Sequence, residues 1–333
     1  MNDKTAVFLF PGQGARYRGA AIDFLDAGSP GARELFALAS EACGRDMRAL
    51  LADGSEEELK RTDVAQPALT LCALAAAAFL SERGWRPALC AGFSLGEYPA
   101  LACAGVLSAA DCFKLVVARG KAMQDEADRA LAEHGGDANL APGMMAVVGL
   151  ALDKALELIE GWKESGVLKD EGLSDLYPAN LNSPSQLVAS GTAAALSRAE
   201  GLFAAAGARV TRLRVAGPFH SPLMSRAAEA FAVALADARF GDPEIPLFSN
   251  VTGEKAESGE EAKRLALLHV TSPVQWAREQ RAVARAMGEL GAAACLEVGP
   301  GKVLRGLWRD SGAETGCLSA ESVADIEKLD QSA

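Results

Sequence analysis

The sequence predicts an α/β protein in which a small subdomain interrupts a larger one, and two observations support this fold class. A strand, a glycine-containing loop and a helix follow one another twice, starting near residues 5 and 87. Beyond residue 142 the pattern changes to short elements in the order strand, helix, strand, strand, helix, strand. With 333 residues, half of them hydrophobic, the chain is long enough for a sizeable core.

Composition excludes several classes of function. The net charge of −11 argues against nucleic acid as the main partner. Apolar runs are too short to span a bilayer and the N-terminus lacks the regions of a signal peptide, so we expect a cytoplasmic protein without membrane contact. The seven cysteines form no Cys-x-x-Cys pair and only three histidines are present, which predicts reduced thiols and no metal site.

The first predicted strand, at 5–10, runs into a glycine-rich loop at 11–19 that begins PGQG. The glycines match neither the dinucleotide fingerprint nor a Walker motif with its lysine, so a nucleotide site is not predicted. One interpretation is a tight strand-to-helix turn. The other is that the backbone amide of Gln13 points across the strand ends toward Ser94, where it would stabilise an oxyanion.

The segment 92–98 (GFSLGEY) places Ser94 between two glycines, after an apolar strand at 87–93 and before a helix. A sharp turn in this context presents a serine hydroxyl above the sheet at a helix N-terminus, and the next amide, that of Leu95, faces an oxyanion. The alternative is a glycine-flanked turn in which Ser94 only caps the helix. The first interpretation predicts a nucleophile.

Two long helices follow from the apolar periodicity. The almost wholly apolar helix at 63–84 is expected in the interior. A second helix has Ser108 as its N-cap and carries Arg119 on its apolar face. A buried guanidinium keeps its charge, so Arg119 either pairs with an internal acid, which is the commoner case, or binds a substrate carboxylate. Polar residues at 125–142 predict a connection or surface insert, with His134 exposed.

The elements after residue 142 predict an inserted ferredoxin-like subdomain at 126–214. Strands are expected at 143–150, in YPANL and QLVASG on either side of a turn at 182–185, and in ARVTRLRV. Helices are expected after the first and the third of these strands. This order of elements is that of a ferredoxin-like unit.

The segment 217–224 (GPFHSPLM) brings the chain back to the large subdomain. Ser221 is expected to cap a helix whose first residue is Pro222, with His220 just outside the helix N-terminus. The helix dipole there disfavours imidazolium and keeps the ring a neutral base. A lone histidine is more often a structural hydrogen-bonding group, but the chain has few other bases for an activated serine.

The remaining segments predict two further strands, at 245–251 and 294–298. A turn at 269–276 leads into a helix between them, and a glycine turn follows the second strand. The last residues, 316–333, are polar and weakly patterned, which predicts a loosely held tail.

Seven motifs occur along the chain in a fixed order. They are PGQG at 11–14, GFSLGEY at 92–98, RGKAMQ from Arg119, NSP at 182–184, GPFHSPLM at 217–224, SPVQW at 272–276 and EVGPGKVL at 297–304. With this ordered set the chain resembles the malonyl-CoA:acyl carrier protein transacylases over about residues 5–310. The resemblance implies an α/β-hydrolase-like large subdomain, 1–125 and 215–315, interrupted by the ferredoxin-like subdomain at 126–214, with the active site between them.

The resemblance also implies roles for individual residues. Ser94 is the nucleophile that takes the malonyl group from coenzyme A as an ester, and His220 is its base. The amides of Gln13 and Leu95 form the oxyanion hole, and Arg119 pairs with the malonyl carboxylate. The phosphopantetheine thiol of acyl carrier protein then takes the malonyl group, for fatty acid biosynthesis, without a cofactor or metal.

Further implied features surround that site. The main-chain carbonyl of His269, a position where the family commonly has glutamine, orients the imidazole. Phe93, Phe219 and Asn182 are expected to contribute to substrate binding, and the bulk of Phe219 leaves little room for an α-methyl group. The implied partners are acyl carrier protein and a coenzyme A thioester, and we expect a monomer.

Three alternatives stay open from the residues. Arg209, Arg212 and Arg214 either dock the acidic carrier protein or are solvated strand residues. Within the transacylases, the chain is alternatively a trans-acting acyltransferase of polyketide synthesis. A serine esterase or thioesterase would need an acid between the serine and a histidine near the C-terminus, and it has no use for Arg119.

Overall fold

The computed structural model describes residues 4–14, 17–164 and 174–332. Residues 15 and 16 of the predicted loop at 11–19, and 165–173 of the predicted small subdomain, lie outside the described residues. The described part forms ten β-strands: β1 Lys4–Phe10, β2 Trp85–Gly92, β3 Gly143–Val148, β4 Leu176–Ser183, β5 Gln186–Gly191, β6 Arg209–Arg212, β7 Phe248–Ser249, β8 Glu254–Lys255, β9 Ala294–Val298 and β10 Cys317–Ala320.

Fourteen α-helices lie in the same described residues. They are α1 Ile22–Asp26, α2 Pro30–Cys43, α3 Met47–Asp53, α4 Glu56–Lys60, α5 Thr62–Glu82, α6 Glu97–Cys103, α7 Ala109–Glu133, α8 Leu152–Glu164, α9 Ala193–Ala205, α10 Ser225–Asp237, α11 Gly259–Leu268, α12 Trp276–Leu290, α13 Val303–Leu307 and α14 Val323–Ser332. Short 3₁₀ turns precede α6 and α10 and follow α13.

A four-stranded parallel sheet with the order β10-β9-β1-β2 forms the centre of the large subdomain. Strand β1 is buried from Ala6 to Phe10. Helices cover both faces of a parallel sheet, and for that reason the strands of such a sheet are continuous apolar runs. The loops after β1 and β2 leave the same edge of the sheet, since these strands are parallel neighbours. A Cβ atom at Gly12 would lie 2.6 Å from the Phe93 carbonyl oxygen, so the first loop lies against the second.

Helix α5 is the apolar helix expected at 63–84. Its length and apolar composition would allow it to cross a membrane, but 83% of its most apolar 18-residue segment is buried inside the protein. Helices α2 and α7 pack against it. The prediction of an interior helix is confirmed, and its apolar character is explained by burial on nearly every side.

A second, antiparallel sheet has the strand order β4-β5-β3-β6. Helices α8 and α9 pack on it through an apolar cluster that includes Ile159, Leu196 and Phe203. This sheet order and the alternation of strands and helices are those of a ferredoxin-like unit. The predicted fold class, a parallel α/β unit with a small antiparallel subdomain, is confirmed.

Strand β4 also connects the small sheet to the large subdomain. The Leu181 N–H donates to the Val274 carbonyl at 2.8 Å, and the Val274 N–H donates to the Ala179 carbonyl at 2.9 Å. Val274 lies just before α12. This pair of main-chain hydrogen bonds holds the end of β4, with Asn182, beside the large subdomain.

The predicted connection at 125–142 begins too early. Helix α7 continues to Glu133, so the division placed at residue 125 falls inside a helix. Ala127 and Ala130 continue its buried face, but alanines among charged residues produce a weak periodic signal. His134, directly after the helix, is exposed as predicted.

The predicted loose tail at 316–333 is wrong. Strand β10 pairs in parallel with β9, and α14 follows with Ile326 and Leu329 buried. The indole N–H of Trp85 donates to Asp330 at 3.0 Å and ties α14 to the start of β2. A four-residue strand and a mostly polar helix are too short for the apolar period to predict them.

Candidate active site

The turn after β2 places Ser94 at the C-terminal edge of the parallel sheet. Ser94 begins the 3₁₀ turn Ser94–Gly96, and its φ of 51° lies in the left-handed region. The flanking glycines allow close packing: a Cβ at Gly92 would lie 2.0 Å from the Gly96 carbonyl oxygen, and one at Gly96 would lie 2.0 Å from that of Phe10. The residue that adopts the left-handed conformation is therefore the serine and not one of the glycines. Because this conformation is strained for a serine, the surrounding contacts must hold it.

Ser94, His220 and His269 form a hydrogen-bonded chain. The Ser94 Oγ lies 2.7 Å from His220 Nε2, and His220 Nδ1 lies 2.9 Å from the main-chain oxygen of His269. A carbonyl only accepts, so Nδ1 carries the proton and Nε2 offers its lone pair to the serine hydroxyl. The predicted contacts among these three residues are present, although they are 126 and 49 residues apart in sequence.

The loop that carries His220 is held by hydroxyl groups. His220 has a φ of 57°, and the buried Ser190 of β5 donates to the Phe219 carbonyl at 2.6 Å. The predicted cap is wrong, because the Ser221 hydroxyl donates back to the carbonyl three residues earlier, at 2.6 Å. The turn Pro222–Met224 is a three-residue 3₁₀ turn without a side-chain cap.

Burial, and not a capped helix, keeps the imidazole neutral. Burial and then the positive charge of Arg119 lower the pKa of His220 to about 3. The ring of His269 lies 4.9 Å from that of His220 at an angle of 30°, and burial lowers the pKa of His269 as well. Both rings are therefore neutral at physiological pH.

Arg119 lies on the buried face of α7, as predicted, with 1% of its surface exposed. Its guanidinium stands 5.4 Å from the centre of the Tyr98 ring. No acidic side chain of the described residues lies within 4 Å, and Nε and Nη2 have no hydrogen-bond acceptor among them. Burial lowers the pKa of Arg119, but a guanidinium remains charged at neutral pH. Arg119 therefore makes no ion pair within 4 Å among these residues, although the charge of the buried Glu97 also acts on it.

The two predicted oxyanion donors lie on the adjacent loops. Leu95 is the second residue of the 3₁₀ turn and is buried, while Gln13 is exposed in the loop after β1. Their N–H groups as oxyanion donors stay a prediction.

The three residues expected in substrate binding occupy different surroundings. Phe93 is half-buried, and its ring packs edge-on against Trp276 at 5.5 Å between ring centres. Phe219 is buried in the main apolar cluster. Asn182 is buried at the end of β4, where its Oδ1 has no hydrogen-bond partner among the described residues. Their contact with substrate stays a prediction.

Sequence reasoning missed a buried polar group behind the serine. Asn250 accepts the N–H of Ser94 at 2.6 Å, and Glu97 accepts the Asn250 N–H and the Ser249 hydroxyl, each at 3.0 Å. Burial raises the pKa of Glu97 to about 7. Burial and then the neighbouring Glu97 raise the pKa of Glu279, which accepts from Asn250 at 3.0 Å. The segment 245–251 indicated only a strand.

Comparison with known proteins places this site in a family. A family model described as acyl transferase domain matches residues 7–328. The chain belongs to the acyl transferase family.

This acyl transferase is 40% identical to the malonyl CoA-acyl carrier protein transacylase of Salmonella typhimurium over 303 residues. The aligned residues cover 90% of each chain. It is 35% identical over 324 residues to that of Bacillus subtilis, covering 97% of this chain and 94% of the relative.

Two solved structures match nearly the whole acyl transferase. The crystal structure of MCAT from Streptococcus pneumoniae matches with a TM-score of 0.84 and 33% identity, covering 99% of this chain and all of that one. A malonyl-transacylase in complex with its type II PKS acyl-carrier protein matches with a TM-score of 0.82 and 32% identity, over 99% of this chain and 100% of that one.

The site of this acyl transferase contains the groups that covalent acyl transfer requires. A hydroxyl is hydrogen-bonded to a neutral imidazole whose other nitrogen is held by an acceptor. That acceptor is a main-chain carbonyl, whereas α/β-hydrolases use an Asp or Glu side chain. The buried Arg119 adds a fixed positive charge near this pair.

Proposed function

We propose that this protein transfers the malonyl group from malonyl-CoA to the phosphopantetheine thiol of acyl carrier protein, through a malonyl ester on Ser94, in fatty acid biosynthesis. The relatives named above are malonyl CoA-acyl carrier protein transacylases, and they match over most of both chains. The site supports the proposal with a serine, a neutral base and an unpaired buried cation.

The first half of the proposed reaction forms the acyl-enzyme. His220 Nε2 takes the hydroxyl proton of Ser94 while Oγ attacks the thioester carbonyl carbon. The amides of Gln13 and Leu95 stabilise the oxyanion. The carbon–sulfur bond then breaks, the sulfur receives the proton from His220, and coenzyme A leaves as a thiol.

The second half reverses these steps with another thiol. The phosphopantetheine thiol gives its proton to His220 and attacks the ester, and Ser94 leaves with that proton. The His269 carbonyl keeps Nδ1 protonated throughout, so that Nε2 is the atom that exchanges the proton. Arg119 holds the acyl group in place while the thiols exchange, which favours transfer over hydrolysis.

The observation that carries this proposal is the buried guanidinium of Arg119, which makes no ion pair within 4 Å among the described residues. An arginine that is 1% exposed and lacks an acid within 4 Å among the described residues is unfavourable without an anionic partner. A malonyl carboxylate supplies that charge and accepts two hydrogen bonds from a guanidinium. A neutral ester, the substrate of an esterase, offers no such partner.

Intact mass spectrometry after incubation with malonyl-CoA tests the proposal. Wild type is expected to gain one malonyl group, Ser94→Ala none, and Arg119→Ala much less than wild type. Wild type without an adduct would contradict the proposal. Equal labelling by acetyl-CoA would exclude Arg119 as the group that selects the acyl chain, and equal rates with methylmalonyl-CoA would exclude the role of Phe219.

A polyketide carrier protein is a second candidate acceptor. It is favoured by the match to a malonyl-transacylase that was solved with a type II PKS acyl-carrier protein. The fatty acid carrier remains the proposed acceptor. The relatives named above, at 40% and 35% identity, are called malonyl CoA-acyl carrier protein transacylases, without mention of polyketides. Transfer rates to purified carrier proteins of both kinds distinguish the two.

We further propose that the carrier protein docks at the exposed strand β6. Arg209, Arg212 and Arg214 are exposed along or just after this strand at the edge of the small sheet. Arg212 pairs with Glu200 at 3.4 Å, while Arg209 and Arg214 have no ion pair within 4 Å among the described residues. Exposed cations that lie close in sequence to His220 suit an acidic partner.

The proposed setting is a cytoplasmic monomer. The burial of α5 supports a setting outside the membrane, because this apolar helix is already covered by the protein's own core.

A further inference from the structure

A single buried asparagine spans the turn that carries Ser94. Asn250 directly follows β7 and is fully buried. Its side-chain oxygen accepts the Ser94 N–H at 2.6 Å. Its side-chain nitrogen donates to the Gly92 carbonyl and, at 3.0 Å, to Glu279. The oxygen and the two N–H groups of this amide are thus all engaged, and two of the three bonds go to the turn.

The Asn250 side chain takes the place of a strand that ends beside β2. Earlier in the segment 245–251, the Pro246 carbonyl accepts the Cys90 N–H at 2.9 Å, as in a parallel ladder. The chain then turns away into the hairpin β7–β8. A neighbouring parallel strand would bond the carbonyl before Phe93 and the N–H after it. The amide of Asn250 bonds these same two groups.

Two carboxyl groups and one main-chain contact hold Asn250 itself. Glu97, the first residue of α6, accepts the Asn250 N–H at 3.0 Å. Glu279 of α12 accepts from the side chain, and the Gln275 N–H donates to the Asn250 carbonyl at 2.7 Å. Ser249 ties the second oxygen of Glu97 at 3.0 Å. These contacts hold Asn250 in one orientation. The hydrogen bonds of its side chain to Gly92 and Ser94 then fix the conformation of the turn.

We propose that Asn250 is a positioning residue for acyl transfer: its side-chain amide holds Ser94 in the left-handed conformation that directs Oγ at His220. This inference rests on the proposed function of Ser94 as the nucleophile. Without the amide, the N–H of Ser94 loses its acceptor and a residue in a strained backbone conformation loses the contact that holds it. The rate of Ser94 acylation then falls, whereas the binding of malonyl-CoA, which depends on other residues, persists.

Single-turnover acylation by malonyl-CoA, followed by intact mass, tests this role with Asn250→Leu. We expect the maximal acylation rate constant to fall at least thirtyfold, while the malonyl-CoA concentration for half-maximal rate changes less than threefold. Gln280→Leu is the matched control, because Gln280 is equally buried on α12 and its side chain has no hydrogen-bond partner among the described residues. Its rate constant should stay within threefold of wild type, with circular dichroism verifying that each variant is folded.

Asn250→Asp adds a readout that a merely structural role would not change. A protonated Asp offers an acceptor for the Ser94 N–H and one donor for the Gly92 carbonyl, and it lacks only the second donor of the amide, whereas an ionised Asp offers no donor and adds a negative charge. Facing it are Glu97 from α6 and Glu279 from α12, with His269 Nδ1 3.6 Å from Glu97 and the charge of Arg119 acting on Glu97. The acylation rate of this variant should therefore rise at least fivefold from pH 8 to pH 6, while that of wild type does not rise.

The outcomes separate this inference from the proposed function. Wild type that forms no malonyl adduct contradicts the proposed function itself. An active wild type with Asn250→Leu within threefold of its rate, or with Asn250→Asp following its pH profile, overturns the role of Asn250. If Asn250→Leu does not fold, the pH profile of Asn250→Asp alone decides.

Discussion

The serine and the arginine of this site have opposite polar surroundings. The main chain at Ser94 is held by Asn250, an amide whose oxygen and both N–H groups are bonded inside the protein. Arg119 is about as deeply buried as Asn250, yet its Nε and Nη2 have no hydrogen-bond acceptor among the described residues. A group that must be preorganised for chemistry has its bonds satisfied within the fold. A group that must bind a charged ligand keeps its bonds for that ligand.

The same contrast has an energetic side. Satisfied hydrogen bonds around Ser94 stabilise the folded state, whereas an unpaired buried charge such as that of Arg119 destabilises it. The folded state is therefore less stable because of Arg119, the residue that we propose to select the acyl group. The predictions below change one side of this contrast at a time.

The largest effect is expected for Arg119→Met, which removes the charge and keeps most of the side-chain volume. Malonyl transfer should fall roughly a hundredfold, from the loss of about 3 kcal/mol of charged hydrogen bonding to the carboxylate. The melting temperature should stay the same or rise. Arg129→Met on the same helix, which removes ion pairs with the buried Glu126 and the exposed Glu133, is the control and should leave transfer unchanged. A less stable Arg119→Met that transfers malonyl normally would reverse the contrast.

A smaller effect is expected from charge reversal on the exposed strand β6. Arg209→Glu with Arg214→Glu should raise the KM for carrier protein roughly tenfold, because electrostatic complementarity is lost at the rim of a docking surface. Malonylation of Ser94 by malonyl-CoA should be unaffected. The same reversal at Arg281 and Arg285, exposed on α12, serves as the control. Equal loss in both half-reactions would argue against docking at β6.

The pH dependence of acylation should be weak on the acid side. The base works only when neutral, and its pKa of about 3 lies far below the ordinary value of 6.5. A histidine with the ordinary pKa would lose about tenfold in rate between pH 7.5 and 5.5. We expect less than about a threefold loss for wild type under the same conditions, given the lowered pKa of the buried ring. Glu97, with its pKa of about 7, also titrates in this pH range. A tenfold loss of rate that persists in Glu97→Gln would therefore come from His220 and would assign an ordinary pKa to it.

The smallest effect is expected for His269→Gln. The contact with His220 is made by the main-chain oxygen, and both ring nitrogens of His269 lack a hydrogen-bond partner among the described residues. Acylation should stay within about twofold of wild type, since a lost side chain without hydrogen bonds removes no catalytic contact. His220→Gln should abolish it. A loss above tenfold in His269→Gln would mean that the stacked ring itself takes part.

Local patterns in the sequence were sufficient for most of the fold and for naming the candidate reacting groups. The glycine–serine–glycine turn, the arginine on a buried helix face and the order of strands and helices in the small subdomain each follow from residues close together along the chain. They were predictable because apolar period and turn chemistry act over a few residues. The end of α7 and the strand β10 were missed where alanine or short length weakens that period.

The tertiary structure alone decided how these parts are supported. It brings Asn250 to Ser94 across 156 positions of sequence and Glu279 to Asn250 across 29, and it leaves Arg119 without an ion pair within 4 Å among the described residues. It also assigns the neutrality of His220 to burial and not to a capped helix. A hydrogen bond between distant residues leaves no local pattern, and desolvation depends on what the whole chain packs around a group. The sequence therefore determined the candidate reacting groups, and the fold determined which of them have their hydrogen bonds satisfied inside the protein and which do not.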